Sequence, residues 1–308
     1  MRTLGTKAGV WLKTYFGLLA FLLLCPLNLY ATSISRVVSE QDFPQIYKNP
    51  EDIYGISYAL HLYGVVIIKN VYSQNDVQQM KNKWEIFMDK FNKHVASDEA
   101  SPKITEYGTH FFNGLKVDHY PTYSTPDFIA YKFGVGRYEI SFYDPENSFV
   151  NESILTPKPL RDFLEHHFYL SDLSDVRYRF ESFYGLLPSL PGNKDGLVHR
   201  DTTFLEPEDI DGDVTVKFAK GFYLTSILSL GDDPGSTEFY LGSHKMTGSE
   251  VKEKLANETM ELIRPTMREC DVKLFDGRIG HLAVANPHGS AERKAVYAVH
   301  HASWYKDL

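Results

Sequence analysis

The apolar residues of this chain recur with two periods, and the change from one to the other divides it. Val77, Met80, Trp84, Phe87, Met88 and Phe91 recur every three or four positions, with Lys81, Lys83, Lys90 and Lys93 mostly off that stripe. The spacing predicts an amphipathic helix packed on a sheet, and Ser73 with Asp76 three residues later forms a capping arrangement at its start. Upstream, residues 58–69 place a β-branched run behind Gly64 and read as a buried strand. Residues 160–173, after Pro157 and Pro159, read as a second helix. Its His166 and His167 point about 100° apart and so make no metal pair.

Residues 96–153, rich in Tyr, Phe, Gly and Pro and without a clean period, predict loops and short strands able to cover a pocket. His110, His119 and Tyr120 lie among them, and Lys132 and Arg137 occupy a strand-like stretch from which either can face a site. From residue 176 period two dominates. Strands are expected over 176–187, 196–204, 221–230, 237–241, 271–275, 279–285 and 293–304, with one helix over about 249–263. The turn at 231–235 returns 237–241 as the partner of 221–230.

One strand carries the chemistry. In Gly196-Leu-Val-His-Arg-Asp-Thr-Thr-Phe204, His199 and Asp201 are two positions apart and share a face, with Arg200 on the other. Two histidines and one carboxylate on one face are how non-haem Fe(II) oxygenases hold their metal. The second histidine has four candidates downstream: His244, His281, His288 and the His300-His301 pair. His244 sits in a turn-like Gly-Ser-His-Lys and His288 in a loop, whereas His281 opens a strand after the tight Asp276-Gly277 turn; strands aim ligands more rigidly than loops. Arg293 follows His281 by 12 residues, a hairpin's length, and only 5 separate it from His288. An arginine fork there suits the distal carboxylate of a 2-oxoglutarate co-substrate, which favours His281.

These segments, taken in order, resemble the phytanoyl-CoA dioxygenase family of Fe(II)/2-oxoglutarate-dependent oxygenases. The match covers Tyr63-Gly-Val-Val-Ile-Ile-Lys-Asn-Val71 with its helix, His199-Arg-Asp201, Gly242-Ser-His-Lys245, and Leu274-Phe-Asp-Gly-Arg-Ile-Gly-His281 through Asn286 to Arg293, across most of residues 58–304. The resemblance implies an α+β, mainly β fold with a double-stranded β-helix (jelly roll, cupin-like) core and flanking N-terminal helices. It implies Fe(II) bound by His199, Asp201 and His281, Arg293 holding 2-oxoglutarate, and O2 as the second co-substrate. A small-molecule or acyl substrate would be hydroxylated with release of succinate and CO2, and Gly242-Ser-His-Lys245 would be a structural turn. Two positions depart from the family: Leu241 where a Pro often precedes that turn, and Ala283 where a hydroxyl residue often stands two places after the distal histidine. The second puts one co-substrate contact in question. Asp201 is retained where halogenating relatives replace the carboxylate, which favours hydroxylation. The competing reading is a non-catalytic jelly-roll binding protein or pseudoenzyme in which the same groups are satisfied core residues.

Composition narrows the rest. With 308 residues, 43% hydrophobic, the chain fills a sizeable core, and a net charge of -8 lacks the basic field that nucleic acids require. Arg2, Lys7 and Lys13 followed by the apolar run 15–25 and Pro26 mark residues 1–31 as a signal peptide or a membrane anchor. The expected address is therefore the secretory pathway or the exterior, or a membrane, with residues 32–308 as a single oxygenase-like domain. Beyond that segment Cys270 is the one cysteine, which excludes an intrachain disulfide and a cysteine metal cluster. His199-Arg-Asp201 also matches the start of a protein-kinase catalytic loop, but Glu206 stands where its Asn belongs and Asp276-Gly277 lacks the intervening Phe. No Gly-x-Ser-x-Gly elbow supports a serine hydrolase. The acidic stretch 206–213 reads as a solvated turn.

Overall fold

The computed structural model describes residues 35–96, 103–111, 114–170, 180–202 and 222–302; the segment 1–31 and the acidic stretch 206–213 lie outside them. After two short strands, β1 (Arg36–Val38) and β2 (Tyr47–Lys48), the chain forms helix α1 (Ile53–Tyr63), correcting the strand expected from residue 58. The side chain of Asp52 accepts from the Gly55 N–H at 2.9 Å, and Ile56, Ala59 and Leu60 bury one helical face. Gly64, at φ 83°, ends the helix in the left-handed conformation that glycine tolerates, and the fully buried β3 (Val65–Ile68) begins there. The β-branched run is a strand as expected, but a shorter one. Helix α2 (Gln74–Ala96) buries the six apolar residues of its stripe, and Ser73 Oγ accepts from the Asp76 N–H at 3.1 Å.

Loops and short strands were expected next, and the structure has strands, the first two longer than expected: β4 (Lys103–Phe111), β5 (Gly114–Ser124), β6 (Phe128–Gly134) and β7 (Arg137–Phe142) in antiparallel succession. Several residues of β6 and β7 are only half-buried, which weakens the polar and apolar contrast that a period-two reading needs. His110, His119 and Tyr120 lie on this ribbon; their side chains lie outside what is described. Three helices follow, α3 (Pro145–Ser148), α4 (Glu152–Leu155) and α5 (Lys158–Leu170), and on the last His167 packs against Phe163 and Phe168.

The remaining strands are β8 (Phe180–Ser189), β9 (Tyr223–Ser229), β10 (Thr237–Tyr240), β11 (Leu262–Pro265), β12 (Val272–Asp276), β13 (His281–Ala283) and β14 (Arg293–Ala302). Helix α6 (Gly248–Ala256) is shorter than the sequence indicates, and the residues beyond it become β11. A ten-stranded sheet runs β2-β3-β12-β9-β14-β8-β7-β6-β5-β4, and a four-stranded sheet runs β1-β11-β10-β13, its far edge extended by a bridge between His281 and His199. The chain crosses between these sheets after β8, after residue 200, after β9, after β11, after β12 and after β13. That alternation is a double-stranded β-helix, and the fold is α+β and mainly β.

Two hairpins expected from the sequence are crossovers for this reason. β10 pairs with β11 and β13, not with β9, and β13 and β14 lie in different sheets. Turn residues at 231–235 and 286–290 are equally suited to both outcomes; which one forms depends on where each strand buries its apolar face. One core lies between the large sheet and the helices, around Trp84, Phe91, Phe163 and Leu274; a second lies between the two sheets, around Phe239, Phe275 and Ile279. Among the described residues no helix is long and apolar enough to cross a membrane.

Candidate metal centre

His199 and His281 face each other across the bridge that closes the small sheet. The His199 N–H donates to the His281 carbonyl at 2.9 Å and the His281 N–H donates back at 3.0 Å. Their rings lie 4.3 Å apart between centroids. Asp201 turns back toward both because its own N–H donates to the Gly277 carbonyl at 2.8 Å, in the tight turn that precedes His281. As a result Asp201 Oδ1 lies 3.5 Å from His199 Nε2 and 3.3 Å from His281 Nε2, and one ligand atom from each of the three lies within 4.8 Å of the others. Residues 199 and 200 form bridges, not a full strand, so the shared-face argument is replaced by this turn geometry.

The two imidazoles are held in the same way. His199 Nδ1 lies 2.9 Å from the Leu197 carbonyl and His281 Nδ1 lies 3.1 Å from the Ile279 carbonyl, in each case two residues back. A carbonyl only accepts, so each Nδ1 carries the proton and each Nε2 presents a lone pair to the centre. Thr225 Oγ1, on β9, donates to Asp201 Oδ2 at 2.6 Å and leaves Oδ1 directed inward. His281 is closed in by Phe275, with ring centroids 4.8 Å apart, and by Phe239 at 5.9 Å. The side chains of His281, Asp201 and His199 are 7%, 19% and 32% exposed, so the centre opens on the His199 side.

Electrostatics agree with a cation site. Burial raises the pKa of Asp201, but His281 and hydrogen bonds with both imidazoles override this and hold it well below the carboxylate range. Burial lowers the pKa of His199, and the bond to and charge of Asp201 outweigh it, so His199 sits above its ordinary value. Both shifts arise because the carboxylate and the imidazoles face one another, the arrangement in which a divalent ion competes with protons for the same ligand atoms. The donor set of two neutral nitrogens and one carboxylate oxygen, oriented by second partners and open on one side, fits a metal with vacant positions.

The other residues singled out in the sequence divide around this centre. Arg200 points away, its Nη2 donating to the Ser243 and Met246 carbonyls at 3.0 and 2.7 Å. Arg293 Nη1 donates to the Val284 carbonyl at 2.8 Å, on the strand end that follows His281, and Ala283 lies between them. Arg137 reaches the same place, its Nη1 and Nη2 donating to the Ala283 and Val284 carbonyls, each at 3.3 Å, while Lys132 lies over the Tyr138 ring. His244 is buried in the turn, its Nε2 3.1 Å from the His61 carbonyl, and His300 is held between Ser182 and Ser226. His301 stacks between Phe183 and Tyr223, and His288 is exposed beside Gly192. None of these four joins the triad.

Sequence reasoning missed Thr225, Glu139 and Lys273. Glu139 accepts from Tyr297 Oη at 3.0 Å, and its charge bears on His199. Lys273 is fully buried on β12, its Nζ 2.8 Å from Asp233 Oδ2. A lysine alternating with apolar residues in a buried strand was the available signal for the last; the other two have none in sequence.

No family model matches the sequence, and no curated protein matches it. Among solved structures, AviO1 from Streptomyces viridochromogenes Tue57 superposes with TM-score 0.53 at 14% identity, covering 83% of this chain and 98% of that one. EvdMO1 superposes with TM-score 0.50 at 13% identity, this chain spanning 49% of its length. SnoK, described as a non-heme alpha ketoglutarate dependent carbocyclase from nogalamycin biosynthesis, is 17% identical with TM-score 0.46, too low for an argument about this chain. What these likenesses establish is the fold, which this chain shares with AviO1 and EvdMO1.

Proposed function

We propose that the protein is an Fe(II)- and 2-oxoglutarate-dependent dioxygenase that hydroxylates a small-molecule or acyl substrate, releasing succinate and CO2. The observation that carries the reading is the convergence of His199, Asp201 and His281, with both Nδ1 atoms tied back so that both Nε2 atoms and Asp201 Oδ1 face one point. Two histidines and a carboxylate on one face leave the opposite positions for a chelating 2-oxo acid and O2. Once bound, iron and 2-oxoglutarate supply the oxidising power for C–H hydroxylation.

The chain's own residues do the placing. The Leu197 and Ile279 carbonyls fix the ring planes, Thr225 fixes the carboxylate, and Phe275 and Phe239 keep water from the His281 side. Arg293, bonded to the Val284 carbonyl shortly after His281 in the chain, takes the distal carboxylate of the co-substrate. Succinate released from 2-oxoglutarate by the iron-loaded protein, abolished in His199→Ala, is the expected result. Wild-type protein that neither binds iron nor consumes 2-oxoglutarate leaves the binding-protein reading in its place.

The proposal extends to an exported or membrane-anchored address carried by residues 1–31. N-terminal sequencing of the protein recovered from membrane and secreted fractions checks it; an intact Met1 on a cytosolic protein refutes it.

A further inference from the structure

The centre looks onto a wall of the large sheet whose side chains take no part in holding the metal. Alternate residues of a strand share a face, and Thr225, whose hydroxyl reaches Asp201, fixes which face of that sheet looks toward the centre. Through the strand register the same face carries Tyr223 on β9, Tyr297 and His301 on β14, and Phe183 and Gly185 on β8. On β7 it carries Ser141, the partner of Gly185, and Glu139 two residues before it.

Gly185 shapes the floor of this wall. A Cβ there would lie 2.4 Å from Tyr297 Cε1 and 2.2 Å from the Ile140 carbonyl oxygen, so the bare glycine lets the tyrosine ring lie across β8 and reach β7. At its tip Tyr297 Oη donates to Glu139 Oε1 at 3.0 Å and lies 2.8 Å from Ser141 Oγ. The tyrosine proton is committed to Glu139, so Ser141 donates to Tyr297, and both hydroxyl dipoles point toward the carboxylate. Glu139 is half-buried, and its charge reaches His199, on the side where the centre is open.

Along the same face three rings stack. Phe183 and His301 lie 5.4 Å apart with their planes 13° from parallel, and His301 and Tyr223 lie 6.4 Å apart at 19°. Tyr223 packs on the turn that orients Asp201, since a Cβ on Gly277 would lie 2.4 Å from its ring. At the far end Phe183 is 57% exposed, an unusual position for a phenylalanine on an inward sheet face. A row of π faces running out from the metal centre, with a carboxylate set on a tyrosine floor beside it, has one sign throughout. Ring faces and carboxylate both attract a cation and both disfavour an anion.

Resting on the oxygenase reading above, we propose that this wall is the substrate subsite and that it selects an organic amine, with an apolar body laid on the Phe183–His301–Tyr223 stack and its ammonium at Glu139. The acyl alternative for the substrate then applies only to molecules that place no anionic group here.

The test uses three probes of one shape and three charges: 3-phenylpropylamine, 3-phenylpropanol and 3-phenylpropanoate. Each is added to the full chain loaded with Mn(II) and 2-oxoglutarate, and the paramagnetic broadening of its proton resonances is read, a signal that requires binding close to the metal. The amine should broaden most and the carboxylate least, differing roughly tenfold in affinity. Glu139→Gln keeps the shape and removes the charge; it should weaken the amine to the level of the alcohol and bring the carboxylate up to it. A misfolded variant cannot produce that gain. Phe183→Ala should weaken all three probes alike. The inference alone is overturned if wild type broadens the alcohol or the carboxylate as much as the amine or broadens none of the three, or if Glu139→Gln leaves their order unchanged. Wild-type protein that holds neither Mn(II) nor 2-oxoglutarate overturns the oxygenase reading itself.

Discussion

Replacing Thr225 by Val tests whether the carboxylate of the centre is positioned by its second partner. The Thr225 hydroxyl donates to Asp201 Oδ2 at 2.6 Å, a short, charge-assisted bond in which the threonine is 5% exposed. Among the described residues it is the donor that Oδ2 has, while Oδ1 is shared by the two imidazoles at 3.3 and 3.5 Å. Val has the same shape, so packing against β12 and β14 is kept and only the bond is lost. A hydrogen bond to a charged group is worth about 1.5–3 kcal/mol, and partners of metal ligands typically contribute 10- to 100-fold in affinity. Thr225→Val should therefore weaken Mn(II) or Fe(II) binding by roughly 10- to 100-fold, read by competition against a chelator under anaerobic conditions, while Thr225→Ser stays near wild type. If Thr225→Val binds metal within about twofold of wild type, Asp201 is oriented by the Gly277 turn alone and the role assigned to Thr225 is wrong.

Two further predictions concern stability. Lys273→Met leaves Asp233 buried without its cation, and breaking such a pair typically costs about 3–5 kcal/mol; urea unfolding measures it, and a loss below about 1 kcal/mol would show that the N–H donors of the 233–236 turn suffice. Acid should destabilise the fold through buried histidines: burial, opposed in part by Asp276, lowers His244 to about 4, and burial with its neighbour His301 lowers His300 to about 3. Unfolded histidine titrates near 6.5, so below that pH the unfolded chain gains protons that the folded one refuses. The stability is complete above about pH 6.5 and is lost as pH falls, by roughly 3 kcal/mol for His244 by pH 4. Denaturation midpoints equal at pH 7.5 and pH 5 would contradict this.

The reach of the sequence is clearest where a local rule acts alone. The helix over 74–96 is legible because its stripe and its Ser73 cap are consecutive in the chain. The strand expected from residue 58 failed because Gly64 is compatible with a strand start and a helix end, and only the buried face of Ile56, Ala59 and Leu60 selects the helix. His281 was singled out by its place after the Asp276-Gly277 turn, and the structure adds why that turn matters: its Gly277 carbonyl takes the Asp201 N–H and swings the carboxylate toward both imidazoles. Arg293 was reached through a hairpin that does not exist; it arrives near Ala283 from the opposite sheet.

By itself the sequence determined the candidate ligand types, their order along the chain and the strand-rich, mixed character of the fold, because periodicity and turn chemistry are local and survive without a partner. Tertiary structure decided which strands cross between sheets, and with that everything that depends on two distant segments sharing a space. Thr225 beside Asp201, Thr237 opposite Ala283 and Lys273 on Asp233 are separated by 24, 46 and 40 residues of chain. Hydrophobic burial between two sheets brings them together, and no spacing rule within one strand encodes that.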